Sequence, residues 1–320
     1  VSTSIDPPTA PHEVLVPDRV SDSPALEVSK RPNPFQRIGH LWQYRELIGN
    51  LTRKELKVKY KNSVLGFVWS LLNPLMYLLV FSIVFNIISE VPVPYYGIFF
   101  LAGLLAWNLF STALGQGTSS IVQNSQLVTK VWFPREALVL ASVFTALVHF
   151  ALQAIVLLGA LIAFQRVPDP TFIPVLLLAL VVTLALATAL AIGLSAVNVY
   201  LRDTQHLLEV VLLGWFWLSA IAYPYGQVVD KLNTSQFAGK EWLLALNPML
   251  TVVISFQRTI YNPDYSGTST SAMQEAATIP EHPMSWYLTH LSIALGVSLV
   301  LLFGALALFS KLEDNFAEEI

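Results

Sequence analysis

The chain has 320 residues, of which 54% are hydrophobic and 12% charged, with a mean hydropathy of +0.59. Soluble domains carry about 25% charged residues, so the composition excludes an ordinary soluble domain and indicates an all-α, polytopic membrane protein. The net charge of −3 says little because the charges are segregated, and zero cysteines exclude disulfides, thiolate metal sites and cysteine nucleophiles.

Residues 1–34 are rich in Pro, Ser, Asp and Glu and read as a disordered cytoplasmic tail. No short apolar run precedes the basic segment that follows. A cleavable signal peptide is therefore not expected, and the first span must direct insertion. Residues 35–64 form the next unit, with Arg45, Arg53, Lys54, Lys57, Lys59 and Lys61 in close succession. At 100° per residue, Tyr44, Leu47, Ile48, Leu51 and Val58 share one arc, while Arg53, Lys54, Lys57 and Lys61 share another. That is the pattern of an amphipathic helix lying in the membrane interface. Leu56 and Tyr60 fall outside the apolar arc, which predicts that they pack against protein. The bland alternative is a solvated basic face that only fixes orientation.

Residues 65–310 hold six predicted spans, each judged against the roughly 20 apolar residues a crossing needs. They are Leu65–Ser89, Tyr96–Leu114, Ala137–Phe164, Phe172–Val199, Leu207–Ala222 and Trp286–Phe309. Segments assigned inside carry the basic residues from Arg19 through Lys61, then Lys130, Arg135, Arg202 and Lys311. Those assigned outside carry only Arg166, Lys231, Lys240 and Arg258. The bias places both termini in the cytoplasm, with 311–320 as a short inner tail.

Two inner connectors stand out. After the second span, Ser125 can cap a short helix that Pro134 ends, leaving Leu127, Val131, Trp132 and Phe133 in need of a cover. A cytoplasmic partner would supply one, with Lys130 and Arg135 pairing to its acids. Alternatively the segment rests on headgroups. After the fourth span, Arg202, His206 and Glu209 share a helical face beside Asp203, where a local ion pair is the simpler reading and a proton relay the other. The last outer loop contains Asn247-Pro248, a good cap and first-turn pair, ahead of an apolar run too short to cross. It is expected to be a re-entrant or interfacial helix paired with Trp242–Leu246, followed by a mobile Ser/Thr/Gly-rich stretch from Asp264 to Pro283. Two stray apolar patches on a surface loop are the other reading.

The spans are poor in titratable groups. His149 is expected to bond within the bundle, as are the amides of Asn73, Asn86, Asn108, Gln153 and Asn198. A proton- or sodium-driven pump needs buried carboxylates, and no G-x-x-x-x-G-K-[ST] loop is present. The chain therefore reads as a permease and not an enzyme, with its energy supplied from elsewhere. No metal or catalytic motif occurs, so no cofactor is expected in this chain, and nothing points to nucleic acid. Aromatic residues gather at Trp107 and Phe110, and at Trp215, Phe216, Trp217, Tyr223 and Tyr225. They suit either interfacial packing or a lining on which sugar rings stack.

Several stretches then resemble one family. Arg45-Glu46-Leu47-Ile48, Leu56-Lys57-x-Lys59-Tyr60-Lys61-x-Ser63-x-Leu65-Gly66-x-x-Trp69 and Asn73-Pro74 resemble the start of ABC-2-type permeases. Asn124, Leu127, Lys130 and Phe133-Pro134-Arg135-Glu136 resemble that family's first inner loop, and Arg202-Asp203 with His206 its second. Tyr223-Pro224, Leu246-Asn247-Pro248 and Phe316-Ala317-Glu318-Glu319 resemble its outer re-entrant region and its C-terminal end. The resemblance implies a homodimer of six-span subunits in a bacterial inner membrane, above two copies of a separate ATPase subunit that holds ATP and Mg. It implies ATPase coupling through Leu127, Lys130, Phe133, Pro134, Arg135, Glu136, Arg202 and Asp203. Arg53, Lys57, Lys59 and Lys61 would meet the diphosphate of a polyprenyl-linked polysaccharide, galactan or O-antigen-like. Many members carry a T-P-I/V segment where this chain has Leu218-Ser219-Ala220-Ile221-Ala222, which implies a less kinked end to the fifth span. A drug or small-lipid exporter, an integral membrane glycosyl- or acyltransferase, and a scaffold are the other readings.

Overall fold

The structure is a computed structural model that describes residues 39, 41–61, 63, 66, 68–87, 93–131, 133–234, 244 and 246–319. The tail read over residues 1–34, Trp132 and most of the Trp242–Leu246 partner segment lie outside the described residues.

Every described element is helical. In order they are α1 (Arg45–Tyr60), α2 (Val68–Ile87), α3 (Tyr96–Gln123), α4 (Ser125–Lys130), α5 (Glu136–Ala163), α6 (Ile173–Tyr200), α7 (Thr204–Leu218), α8 (Tyr225–Asn233), α9 (Pro248–Tyr261), α10 (Thr270–Thr278), α11 (Met284–Leu312) and α12 (Phe316–Glu319). Helices α3, α5, α6 and α11 are long and apolar enough to cross a membrane, and α2 is a shorter apolar helix. At 1.5 Å per residue, the 15 residues of α7 reach only about 23 Å, short of the roughly 30 Å hydrocarbon core.

The bundle is built around α3, which packs on α2, α5, α6 and α9, while α6 lies along α11. Small residues on α3 allow this. A Cβ at Gly117 would meet that of Ala191 on α6 at 2.7 Å, and one at Gly103 would meet the Gln257 amide on α9 at 2.8 Å. Lipid removes most of the hydrophobic drive between helices, so close packing and interhelical hydrogen bonds carry the association. Asn108 Nδ2 donates to Gln153 Oε1 at 3.0 Å, tying α3 to α5, and Asn198 Nδ2 donates to the Thr118 carbonyl at 3.2 Å, tying α6 to α3. These are the neutral interhelical bonds expected of such amides.

The outer loop is more ordered than the sequence suggests. Helix α9 is capped as the sequence predicts, with Asn247 Oδ1 accepting from the amides of Met249 and Leu250. Every residue after its first proline is buried, so α9 is an interior helix against α3 and α6. The stretch read as mobile contains α10, capped by Ser269 and burying Ala272, Glu275 and Thr278. The fifth apolar helix stops at Leu218 and not Ala222, because Ala220 takes a left-handed φ of 51°. Removing the proline therefore leaves the break in place.

Candidate functional site

The end of the bundle that the Lys and Arg bias marks as inner carries the predicted docking residues, and the structure divides them. On α4, Val128 is buried and Leu127 is half-buried, while Gln126, Thr129 and Lys130 are exposed. Val131 is 52% exposed just beyond. Phe133 and Glu136, expected on the docking face, are instead buried. The Arg135 guanidinium donates to the Glu313 carbonyl and lies 5.5 Å from the Phe316 ring centroid, and Pro134 is half-buried. The outward edge of this connector is thus Gln126, Thr129, Lys130 and Val131. Arg202 and Asp203 are exposed in the turn after α6. Nearby, His206 Nδ1 and Glu209 Oε2 are 4.0 Å apart, with side chains 80% and 66% exposed, a solvated pair worth under about 1 kcal/mol.

Sequence reasoning gave the C-terminal end no structural role. Phe316 is fully buried and meets Tyr200 at 6.1 Å and Phe309 at 5.4 Å between ring centroids, besides Arg135. Tyr200 also donates to the Leu312 carbonyl at 2.8 Å. This aromatic knot braces the roots of both connectors, and only the resemblance of Phe316-Ala317-Glu318-Glu319 pointed to it.

The basic helix α1 docks on α5 rather than on lipid alone. Ile48 and Leu51 are buried, but Val58, assigned to the same arc, is 64% exposed. Two polar contacts fasten the helix. Glu55 accepts from Thr145 at 2.8 Å and Ser142 at 3.2 Å. Lys59 Nζ lies 3.0 Å from His149 Nε2, the Tyr60 hydroxyl lies 3.2 Å from His149 Nδ1, and the same hydroxyl is 2.5 Å from Ser70 Oγ. An ammonium only donates, so Nε2 accepts, Nδ1–H donates to Tyr60, and Tyr60 passes its own hydrogen to Ser70. Lys59, expected at a lipid diphosphate, thus bonds to the buried His149. Lys59 is nonetheless exposed, as are Arg53, Lys57 and Lys61. Burial pushes the Glu55 carboxyl up from its usual range, against the opposing pull of Thr145, Ser142 and Lys54.

At the outer end, Asn247 joins the foot of α7 to the start of α9. Its Oδ1 accepts from the Trp215 indole N–H at 2.8 Å as well as from the first turn of α9. Its Nδ2 donates to the Leu218 carbonyl at 3.0 Å and to Ser219 Oγ at 3.2 Å, which satisfies a free carbonyl at the end of α7. The aromatic candidates surround this joint. Trp107 and Phe110 are buried, meeting Phe216 and Trp215 at 5.8 and 5.1 Å between centroids. Trp215 and Tyr223 are half-buried, the Tyr223 hydroxyl donating to the Trp217 carbonyl. Trp217 is 56% exposed. Tyr225 is buried and lines an outer cavity of about 260 Å³ with Trp286, His282 and His290.

Above this joint two arginines hold the outer loops together, a pairing sequence reasoning missed. Arg166 donates to both carboxylate oxygens of Glu275 at 2.8 and 3.3 Å, and to the carbonyls of Tyr261 and Asn262. Arg258 is buried, 3.3 Å from Asp169 Oδ2 and 4.0 Å from the Phe172 ring centroid. Although partial burial opposes it, bonds from Thr171 and the Arg258 charge hold the Asp169 carboxyl below its usual range. Arginine suits such buried forks because its planar guanidinium pairs bidentately. Among the described residues, no group of three or more His, Asp or Glu could hold a metal ion.

Comparison with known proteins fits a bundle of apolar helices with exposed inner connectors. Residues 46–261 match the family model described as ABC-2 type transporter. The chain is 33% identical over 286 residues to the O-antigen export system permease protein RfbA of Myxococcus xanthus, covering 88% of this chain and 98% of that protein. It is 24% identical over 284 residues to a Klebsiella pneumoniae protein of the same name, covering 88% and 96%. Against the polysialic acid transport protein KpsM of Escherichia coli it is 22% identical over 219 residues, covering 66% and 80%. With two thirds of its length inside one family model and a close relative matched nearly end to end, this chain belongs to the ABC-2 type transporter family.

Proposed function

We propose that this chain is the membrane half of an ATP-driven exporter that carries a polyprenyl-diphosphate-linked polysaccharide across a bacterial inner membrane. The observation that carries the reading is the 33% identity to an O-antigen export permease over 88% of the chain. In this reading two copies assemble with two copies of a separate ATPase. That partner binds ATP and Mg, and this chain holds no cofactor. Six helices span, with α2 and α7 counted, and both termini are cytoplasmic, as the Lys and Arg bias favours.

Exposed apolar faces on α2 and α7 support a dimer with the polymer path between protomers. Trp69, Leu75 and Met76 are exposed on the first, and Val210, Leu213 and Trp217 on the second. Trp217 is the aromatic best placed to meet a sugar ring. Arg53, Lys57 and Lys61 are free to attract the lipid diphosphate. Gln126, Thr129, Lys130 and Val131, with Arg202 and Asp203, form the face offered to the ATPase.

Depletion of the protein in its host tests the substrate class. Polymer still bound to its lipid should build up on the inner side of the membrane. No accumulation, together with loss of efflux of a small hydrophobic compound, would instead favour a drug or small-lipid exporter.

A further inference from the structure

A long groove runs beside α1 on the inner half of the bundle. Its volume is about 660 Å³, the largest of the cavities described here. Its floor is Leu140, Phe144, Leu147 and Val148 of α5, and its far wall comes from α6 and α11. From Leu140 to Val148 the α5 floor rises about 12 Å, most of the roughly 15 Å hydrocarbon thickness of one leaflet. The wall positions Thr188 and Ile192 on α6 and Leu302 and Leu306 on α11 fall in the halves of those helices that end at the connector side.

The near wall is a stripe of α1 that includes Arg45 and Arg53. These are the charged residues of the lining, and no carboxylate joins them. Both are exposed, and neither has an ion-pair partner among the described residues. An apolar trough of leaflet depth, rimmed by two guanidiniums, is complementary to one chemistry, an acyl chain that ends in a phosphate. Guanidinium is weakly hydrated and matches phosphate oxygens bidentately.

We propose that this groove binds one anionic glycerophospholipid of the inner leaflet, with an acyl chain on the α5 floor and its phosphate between Arg45 and Arg53. The site lies on the side of α1 that faces α6 and α11. It lies apart from the α2 and α7 faces assigned to the polymer path but shares Arg53 with the residues assigned to the lipid diphosphate, so the polyprenyl phosphate arm of the test separates the two readings. Its role is to anchor α1 at one height in the membrane. Glu55 and Lys59 fasten the helix directly to α5, so lipid and protein together hold α1.

The test is native mass spectrometry of the intact complex released from nanodiscs of equal phosphatidylglycerol and phosphatidylcholine. One phosphatidylglycerol per chain should survive activation that strips phosphatidylcholine. The double variant Arg45→Ala/Arg53→Ala should lower that retention about thirty-fold, from about 1 kcal/mol per charge near the surface. Lys231→Ala, at the outer end, should retain the lipid. Leu147→Trp fills the floor and should also reduce retention while both arginines remain. Equal loss of the two phospholipids, or undiminished retention in the double variant, would overturn the proposal. So would displacement of phosphatidylglycerol by an equal amount of polyprenyl phosphate, which would reassign the groove to the exporter's cargo.

Discussion

The two ends of this molecule are held by different chemistry. At the outer end, an arginine–carboxylate fork (Arg166 with Glu275), a second ion pair (Arg258 with Asp169), a five-bonded asparagine and tightly turned backbone fix the loops against the bundle. The non-glycine residues with positive φ among those described, Tyr95, Gln165, Ala220 and Asn262, all lie at outer ends of helices. At the inner end the connectors are short, and their tips carry exposed Lys130, Val131, Arg202 and Asp203. The aromatic knot around Phe316 and a bond from Lys54 Nζ to Asn124 Oδ1 at 3.1 Å brace their roots. Rigidity at one end and an open, polar face at the other fit the proposal that the moving force arrives from the inner side, and the predictions below test that contrast.

The largest effect is expected at the outer forks. Glu275→Ala removes the carboxylate partner of Arg166, leaving that guanidinium only the Tyr261 and Asn262 carbonyls, and also removes the acceptor for the Asp264 amide. Breaking a buried pair from one side costs about 3–5 kcal/mol, so the purified protein should melt many degrees lower. A variant that melts normally would show that the outer end is not the rigid one. Asn247→Ala should cost about 2 kcal/mol, since a helix cap and a carbonyl partner go together. It also frees the Trp215 indole N–H, so tryptophan emission should shift as that bond is lost. Unchanged emission would mean that the joint of α7 and α9 is not made.

Ala220→Gly works in the other direction. It relieves the left-handed backbone and should stabilise by about 1 kcal/mol. A loss of stability would mean that the methyl group packs at the break.

The smallest effect belongs to the inner end. The Glu55 carboxyl is raised by burial, so its contribution to α1 docking is full below the unfolded-state value of about 4.3 and falls as pH rises through the raised value. A protonated Glu55 can donate to Thr145 while Thr145 donates to the Ala141 carbonyl, a bond the threonine already makes at 2.9 Å. Hydrogen exchange along α1 should therefore quicken as pH rises past that range, once intrinsic rates are corrected, and Glu55→Gln should flatten the trend. The outer Asp169 has the opposite sign. Its carboxyl is held low, so the stability it lends Arg258 is present above about 3.9 and is lost as pH falls through its depressed value.

What could be read from the sequence follows the range of the signals. Apolar length marks α3, α5, α6 and α11, the charge pattern marks α1, and Asn247-Pro248 marks α9, because each is local to one helix. Arg166 and Glu275 are 109 residues apart, and a single sequence carries no local mark of such a pairing. Their one visible hint was arginine in outer segments otherwise poor in basic residues. The connector shows the same limit. Proline and serine predict a short helix, but six residues of α4 give too little periodicity to tell that Phe133 and Glu136 turn inward. The break at Ala220 was hidden for a related reason. It is stabilised by Asn247, from another part of the chain, and needs no proline.

The most direct test of a conduit driven from its inner side is Val131→Asp combined with Lys130→Glu, both at exposed positions. The account predicts that this variant melts within about 0.5 kcal/mol of the parent, yet no longer co-purifies with an ATPase subunit that the parent retains in equal amount. Undiminished co-purification and export, or ATP-independent transport by the parent chain reconstituted alone, would contradict it.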